Sequence, residues 1–63
     1  MQPHQQRVVD EKRELDDKIQ KLTAFFNTEI YRGLRSAEKR LLSNQLMHMN
    51  GYSEVLADRI SLF

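Results

Sequence analysis

The chain has 63 residues, of which 40% are hydrophobic and 30% charged, and ten Lys and Arg against nine Asp and Glu leave a net charge of +1. This length allows one small domain and leaves no room for a nucleotide-binding α/β fold with a separate substrate site. The absence of Cys excludes disulfide frameworks, thiolate zinc sites and cysteine nucleophiles. The nearly balanced charge argues against a dedicated nucleic-acid binder, and no apolar run is long enough to predict a membrane-spanning helix.

The chain begins with a short polar segment, Met1 to His4. It is too short and too polar for a signal peptide, so we expect a frayed start and a protein that stays in the cytoplasm. From about Gln5 to Asn27 the sequence contains no Gly or Pro and is rich in good helix formers. Its apolar residues have the spacing of an amphipathic helix. They are Val8, Leu15, Ile19, Leu22 and Phe26.

Residues 28–35 are predicted to form a connector. Thr28 is expected to cap a single helical turn, and Gly33 is expected to end that turn in the left-handed conformation. The connector also carries apolar side chains, which we expect to fold back over the helix ends near Phe25 and Phe26.

A second helix is predicted over residues 36–62. Ser36 is its expected N-cap, with an acidic residue in the first turn. Gly51 lies in the middle and could mark a kink, or a break with Ser53 as the next cap. We favour a continuous helix because the sevenfold rows of apolar residues stay in register on both sides of Gly51.

These rows make the apolar stripe of the second helix unusually wide. One row contains Leu42, Met49, Leu56 and Phe63, and a parallel row contains Leu41, Val55 and Leu62, with His48 in its gap. A stripe of this width indicates contact with two neighbouring helices. Two helices of one short chain cannot supply both neighbours.

The predicted fold is therefore all-α, with residues 1–63 forming a single antiparallel two-helix hairpin that assembles into a helical-bundle oligomer. A compact monomer, with the connector helix as a third element, is the alternative. The residues predicted to form the oligomer interface are Leu42, Met49, Val55, Leu56, Ile60 and Phe63.

Catalytic and metal-binding chemistry is not indicated. His4 and His48 are the only imidazoles, and they lack the spacing of a metal motif. The two glycines are isolated, so no phosphate-binding loop is predicted. We expect no cofactor, no metal and no enzymatic activity.

Two sets of polar and aromatic residues are candidates for binding a ligand or a partner. Tyr31, Arg32 and Arg35 lie in the basic connector, where cations beside an aromatic ring could hold a phosphate and stack a base. Tyr52 and Arg59 belong to a row of the second helix beside the apolar residues. The alternatives are a solvated basic turn for the first set and a hydrogen-bonded row that sets the helix register for the second.

The residues also carry a family resemblance over roughly residues 5–63. The motifs are Gln6-Arg7-Val8-Val9-Asp10-Glu11-Lys12 near the start, and Tyr52-Ser53-Glu54-Val55-Leu56 with Asp58-Arg59-Ile60 near the end. They resemble a family of very small phage and prophage proteins related to a crAss-like phage protein of unknown function. The resemblance implies a phage or prophage origin and a hairpin fold, and it supplies no site residue.

Phage proteins of this size are commonly accessory factors that bind and block a host component. The predicted function is therefore a cytoplasmic, non-enzymatic protein that counters a bacterial anti-phage defence by stoichiometric binding. The favoured mechanism is an oligomeric sponge for cyclic-oligonucleotide signals. A protein inhibitor of a host defence effector or nuclease, comparable to an anti-CRISPR, and a structural or assembly role remain open. Nucleic-acid binding is disfavoured, and no membrane partner is expected.

Overall fold

The computed structural model describes residues 1–63 as three helices, α1 (Pro3–Phe25), α2 (Glu29–Arg32) and α3 (Ser36–Ser61). The two long helices, α1 and α3, pack side by side as an antiparallel hairpin, and the molecule measures 46 × 15 × 13 Å. The predicted all-α hairpin with a short connector helix is confirmed. Neither long helix contains a segment apolar enough to cross a membrane.

Helix α1 begins earlier than the sequence suggested. Pro3 is its first residue, a position that suits proline because the missing N–H would have had no partner inside the helix. The backbone N–H of Gln2 donates to Oε1 of Gln5 at 2.9 Å and so closes the helix start. The expectation of a frayed start is therefore wrong for residues 3 and 4, and the helix ends at Phe25 instead of Asn27.

The connector turn α2 is capped as predicted. The hydroxyl oxygen of Thr28 accepts a hydrogen bond from the backbone N–H of Tyr31 at 3.2 Å, and the same hydroxyl donates to the carbonyl of Phe25 at 2.7 Å. The expected left-handed Gly33 is wrong, because its φ is −82°. Its N–H bonds to the carbonyls of Glu29 and Ile30, so right-handed geometry already satisfies the end of the turn.

Helix α3 runs without a break through Gly51, as predicted. Its start differs from the prediction by one residue. Arg35 is the N-cap and makes no side-chain capping hydrogen bond, while Ser36 is already inside the helix. The backbone carbonyl of Arg35 accepts from Lys39, so the helix starts without a side-chain cap.

The core between α1 and α3 is small. Val8, Leu15 and Leu56 are buried, and Leu56 is the only one of them with no exposed surface. Further partly buried residues pack around them, namely Ile19, Met49 and Ile60. Burying a leucine side chain completely stabilises a fold by about 1.5–3 kcal/mol, so Leu56 supplies a large part of the contact energy here.

This core corrects one part of the predicted oligomer interface. Leu56 is fully buried inside one chain, and Met49 and Ile60 pack against the same cluster. Met49, Leu56 and Ile60 therefore face α1 of the same chain, whereas the role of Leu42 between chains stays a prediction. Val55 and Phe63 remain 55% and 46% exposed, and their role between chains stays a prediction.

Candidate binding surfaces

The first candidate surface surrounds the connector. Tyr31 is half-buried, and its ring meets the rings of Phe26 and Phe25 edge-on, with centroids 4.8 Å and 6.1 Å apart. The ammonium group of Lys39 lies 5.4 Å from the centroid of the Tyr31 ring, within cation–π range. The connector therefore folds back on the end of α1 as predicted, and the Tyr31 ring helps to hold it there.

Arg32 directly follows Tyr31 in the chain, and Arg35 is the N-cap of α3. Both residues are exposed, and neither forms a salt bridge or a side-chain hydrogen bond within the chain. Residues 28–40 contain four basic and two acidic side chains. The net charge of this segment is therefore more positive than that of the whole chain, which is +1. Cations that are free of internal partners are suited to bind an anion, and Arg can bind a phosphate through two parallel hydrogen bonds.

The second candidate surface is the outer face of α3. It consists of eight exposed residues that follow one another at alternating spacings of three and four: Glu38, Leu41, Gln45, His48, Tyr52, Val55, Arg59 and Leu62. Leu41, Val55 and Leu62 remain 65%, 55% and 86% exposed, and Tyr52 remains 45% exposed. These residues form one continuous face of the helix, and α1 does not cover it.

A single chain does not bring the two predicted sets together. Arg35 and Arg59 are separated by 24 residues of α3, which is about 36 Å along a helix. Tyr52 lies about 25 Å from Arg35 by the same measure. Tyr31, Arg32 and Arg35 thus form one group at the connector end, while Tyr52 and Arg59 form another on the outer face of α3.

A polar contact between the long helices was not anticipated. Lys12 donates to Asp16 at 2.7 Å and to the hydroxyl of Ser53 at 3.0 Å, and that hydroxyl donates to Asp16 at 2.5 Å. The hydrogen bond from Lys12, followed by that from Ser53, holds the pKa of Asp16 below its ordinary value. The one sequence signal is that Lys12, four residues after Val8 and three before Leu15, lies on the apolar side of α1. The contact joins α1 to α3 and fixes their register.

One open depression lies on the remaining flank of α3, next to the end of α1, with a volume of about 490 Å³. It is lined by Phe26, Ser43, Leu46, Met47, Asn50, Gly51 and Glu54. Its lining contains one carboxylate and no cation, so an anionic ligand would meet repulsion there. This flank carries no sequence motif that would have marked it.

A comparison with protein families identifies the family of the chain. A model of the Sequestin family matches residues 2–62. The chain belongs to the Sequestin family. No curated protein and no solved structure matches it.

The Sequestin match extends over both long helices and the connector between them. Both candidate surfaces of this Sequestin therefore lie inside the matched segment. No group of three His, Cys, Asp or Glu residues that could hold a metal ion comes together in it. The chemistry that the two surfaces offer is cationic, aromatic and apolar contact.

Proposed function

We propose that this protein is a non-enzymatic phage or prophage accessory protein that sequesters a small anionic signal, favouring a cyclic oligonucleotide, and thereby counters a host anti-phage defence. Sequestration is stoichiometric, and we propose that a homo-oligomer performs it in the cytoplasm of the bacterial host. The name of the Sequestin family is compatible with such a role.

The observation that carries the proposal is the pair of unpaired guanidinium groups at the connector. Arg32 and Arg35 are exposed and free of ion pairs, whereas Lys12, Arg13 and Lys21 on α1 are paired with aspartates. A nucleotide signal presents phosphates to such guanidinium groups and a base to an aromatic ring. Tyr31 directly precedes Arg32 in the connector, and its ring already contacts Phe26, so a base stacked on it would add to an existing aromatic cluster.

Sequestration asks little of the protein besides affinity. A trap works when its dissociation constant lies below the working concentration of the signal and when it supplies as many sites as there are signal molecules. Tyr31 is already packed against Phe25 and Phe26, so the ordering cost of binding falls mainly on the two arginine side chains.

The test is to purify the protein from cells that produce cyclic oligonucleotides, denature it, and identify the released small molecules by mass spectrometry. Calorimetry with cyclic and linear di- and trinucleotides then gives the affinity and the number of sites. We expect a nucleotide to be released and the double variant Arg32→Ala/Arg35→Ala to bind it at least tenfold more weakly. Lys18→Ala, which removes an exposed cation of α1, is the matched control and should bind normally. No released molecule and no binding in the calorimeter would refute the proposal.

A second function is favoured by the outer face of α3. Tyr52 and Arg59 are of the residue types that most often anchor protein interfaces, and Val55 beside them is 55% exposed. An inhibitor of a host defence effector would use this face. It would capture one host protein in a pulldown, would ignore nucleotides, and would lose protection in a phage challenge when Arg59 is replaced by Ala.

A further inference from the structure

We propose that the outer face of α3 pairs with the same face of a second copy of the chain, with the two α3 helices antiparallel. This inference deepens the proposed function and rests on its oligomeric part. It names the surface, the orientation and the residues that the second copy brings to the connector.

The pattern of the face points to another helix as its occupant. All eight positions of the face, from Glu38 to Leu62, are exposed, and four of them carry large apolar or aromatic side chains: Leu41, Tyr52, Val55 and Leu62. Exposed apolar side chains that line up in one patch mark an interaction site. Helix α1 is already packed on the neighbouring face through Leu56, so the second helix has to come from another chain.

The chain exposes more surface than a compact monomer of its mass would. The chain exposes 4971 Å², whereas a compact monomer of its mass, 7.5 kDa, is expected to expose about 4250 Å². The excess of about 700 Å² is close to the roughly 800 Å² that each partner buries in a standard protein interface.

The charges at the two ends of the face decide the orientation. Glu38 lies at the start of the face and Arg59 near its end, and neither makes an ion pair within the chain. A parallel pair would set Glu38 against Glu38 of the partner subunit, and Arg59 likewise against its own copy. An antiparallel pair brings Glu38 close to Arg59 of the partner subunit at both ends, which replaces two repulsions by two attractions.

The register in which the two faces, each from Glu38 to Leu62, overlap completely sets Leu41 level with Arg59 of the partner subunit and Tyr52 level with His48 of the partner subunit. Glu38 then lies about 4.5 Å along the axis from Arg59 of the partner subunit, and Arg35 lies about 9 Å from it. Each end of the dimer thus adds a guanidinium group from the second copy to the connector of the first. Tyr52 stays near the twofold axis, where it serves packing.

The pairing is tested first on the protein without nucleotide, by light scattering coupled to size-exclusion chromatography. We expect a dimer, and we expect Val55→Asp to convert it to a monomer that retains its helical circular dichroism. Met47→Asp is the matched control, because Met47 is 59% exposed, comparable to Val55, and lies on a different flank of α3. A monomeric parent protein, or equal effects of the two variants, would overturn the inference.

The orientation is tested by charge reversal and by cross-linking. Glu38→Arg and Arg59→Glu should each weaken the dimer at least tenfold, and the double variant should restore it. A double variant as weak as the single ones would overturn the antiparallel pairing. The chain contains no Cys, so Leu62→Cys supplies a single thiol. An antiparallel dimer holds the two thiols about 36 Å apart, too far for a disulfide within the dimer, whereas a disulfide that leaves the native particle at two chains would show a parallel pair.

These outcomes are distinct from those of the proposed function. A dimer with the expected charge-reversal behaviour that captures no nucleotide would leave the pairing in place and refute sequestration of such a signal. A monomer that captures a nucleotide through Arg32 and Arg35 would support sequestration and overturn the pairing.

Discussion

Truncation of Leu56 should remove more stability than any other single truncation in the hairpin. Leu56 is the only side chain with no exposed surface, and it contacts the core from the α3 side while Val8 and Leu15 contribute from α1. Replacing a buried leucine by alanine usually costs about 2–5 kcal/mol, the lower values applying where neighbours can close the cavity. In a core only two helices thick the neighbours can move, so we expect about 2–3 kcal/mol for Leu56→Ala.

The size of this loss has to be compared with the stability of the whole fold. Small domains have about 0.05–0.15 kcal/mol of stability per residue, which gives this chain roughly 3–9 kcal/mol. Each kcal/mol shifts the melting temperature of a domain of this size by about 4–8 °C, so Leu56→Ala should lower it by about 10–20 °C. Leu56→Asp, which buries an unpaired carboxylate at the same position, should leave the chain unfolded at room temperature.

Thermal unfolding followed by circular dichroism at one fixed protein concentration measures the effect. Met47→Ala is the control, because it also truncates an apolar side chain of α3 but at a position that is 59% exposed. It should change the melting temperature by at most about 4 °C. Asp17→Ala, which removes an exposed ion pair with Lys21, should change it by no more than that. Equal losses for Leu56→Ala and Met47→Ala would show that the faces of α3 are assigned wrongly.

Three further substitutions probe local features. Gly51→Ala should raise the free energy of unfolding by about 0.5–1 kcal/mol, because alanine is the better helix former and an added Cβ would meet nothing within 4 Å. Urea unfolding measures the change, and a lower free energy of unfolding would mean that another chain approaches Gly51. Thr28→Ala should lower the free energy of unfolding by about 1 kcal/mol, because the N-cap of α2 is lost. Urea unfolding measures this as well, and an unchanged value would show that the cap does not stabilise the fold. The pKa of Asp16 is lowered in the folded chain from its ordinary 3.8, so its contribution is present above pH 3.8 and is lost as the pH falls through the lower folded-state pKa. The melting temperatures of the parent protein and Asp16→Asn should therefore differ at neutral pH and converge in acid, and a gap that stays constant with pH would contradict this assignment.

The helices and their connector could be predicted because their signals are local. Periodicity and helix-forming residues identified α1 and α3, and Thr28 could be recognised because its capping partner lies three residues away. The start of α3 was misplaced by one residue because Ser36 is a good cap by type, yet the chain reaches the helix at Arg35 without using it. A side chain's preference does not decide the backbone path when the helix can start without a cap.

The assignment of faces to partners could not be predicted in the same way. A sevenfold repeat predicts that the rows of Leu56 and Val55 are packing faces, but it does not say which of the two the hairpin covers. The contact between Lys12, Asp16 and Ser53 could not be predicted either, because its partners are far apart in the sequence. Ser53 lies 37 positions after Asp16 and 41 positions after Lys12. Of the candidate site, the unpaired arginines of the connector could be named from the sequence, whereas the packing of Tyr31 against Phe26 became clear only in the fold.

The rod-like outline of the hairpin affects how its mass must be measured. The radius of gyration is 14.6 Å, whereas a compact domain of this length would have about 11 Å. A value of 14.6 Å belongs to a compact domain of about 145 residues, more than two copies of this chain. A monomer would therefore leave a gel-filtration column ahead of globular standards of its own mass and could be mistaken for a dimer. Forward-scattered intensity or sedimentation equilibrium reports mass independently of shape, so those measurements should decide how many chains a particle contains.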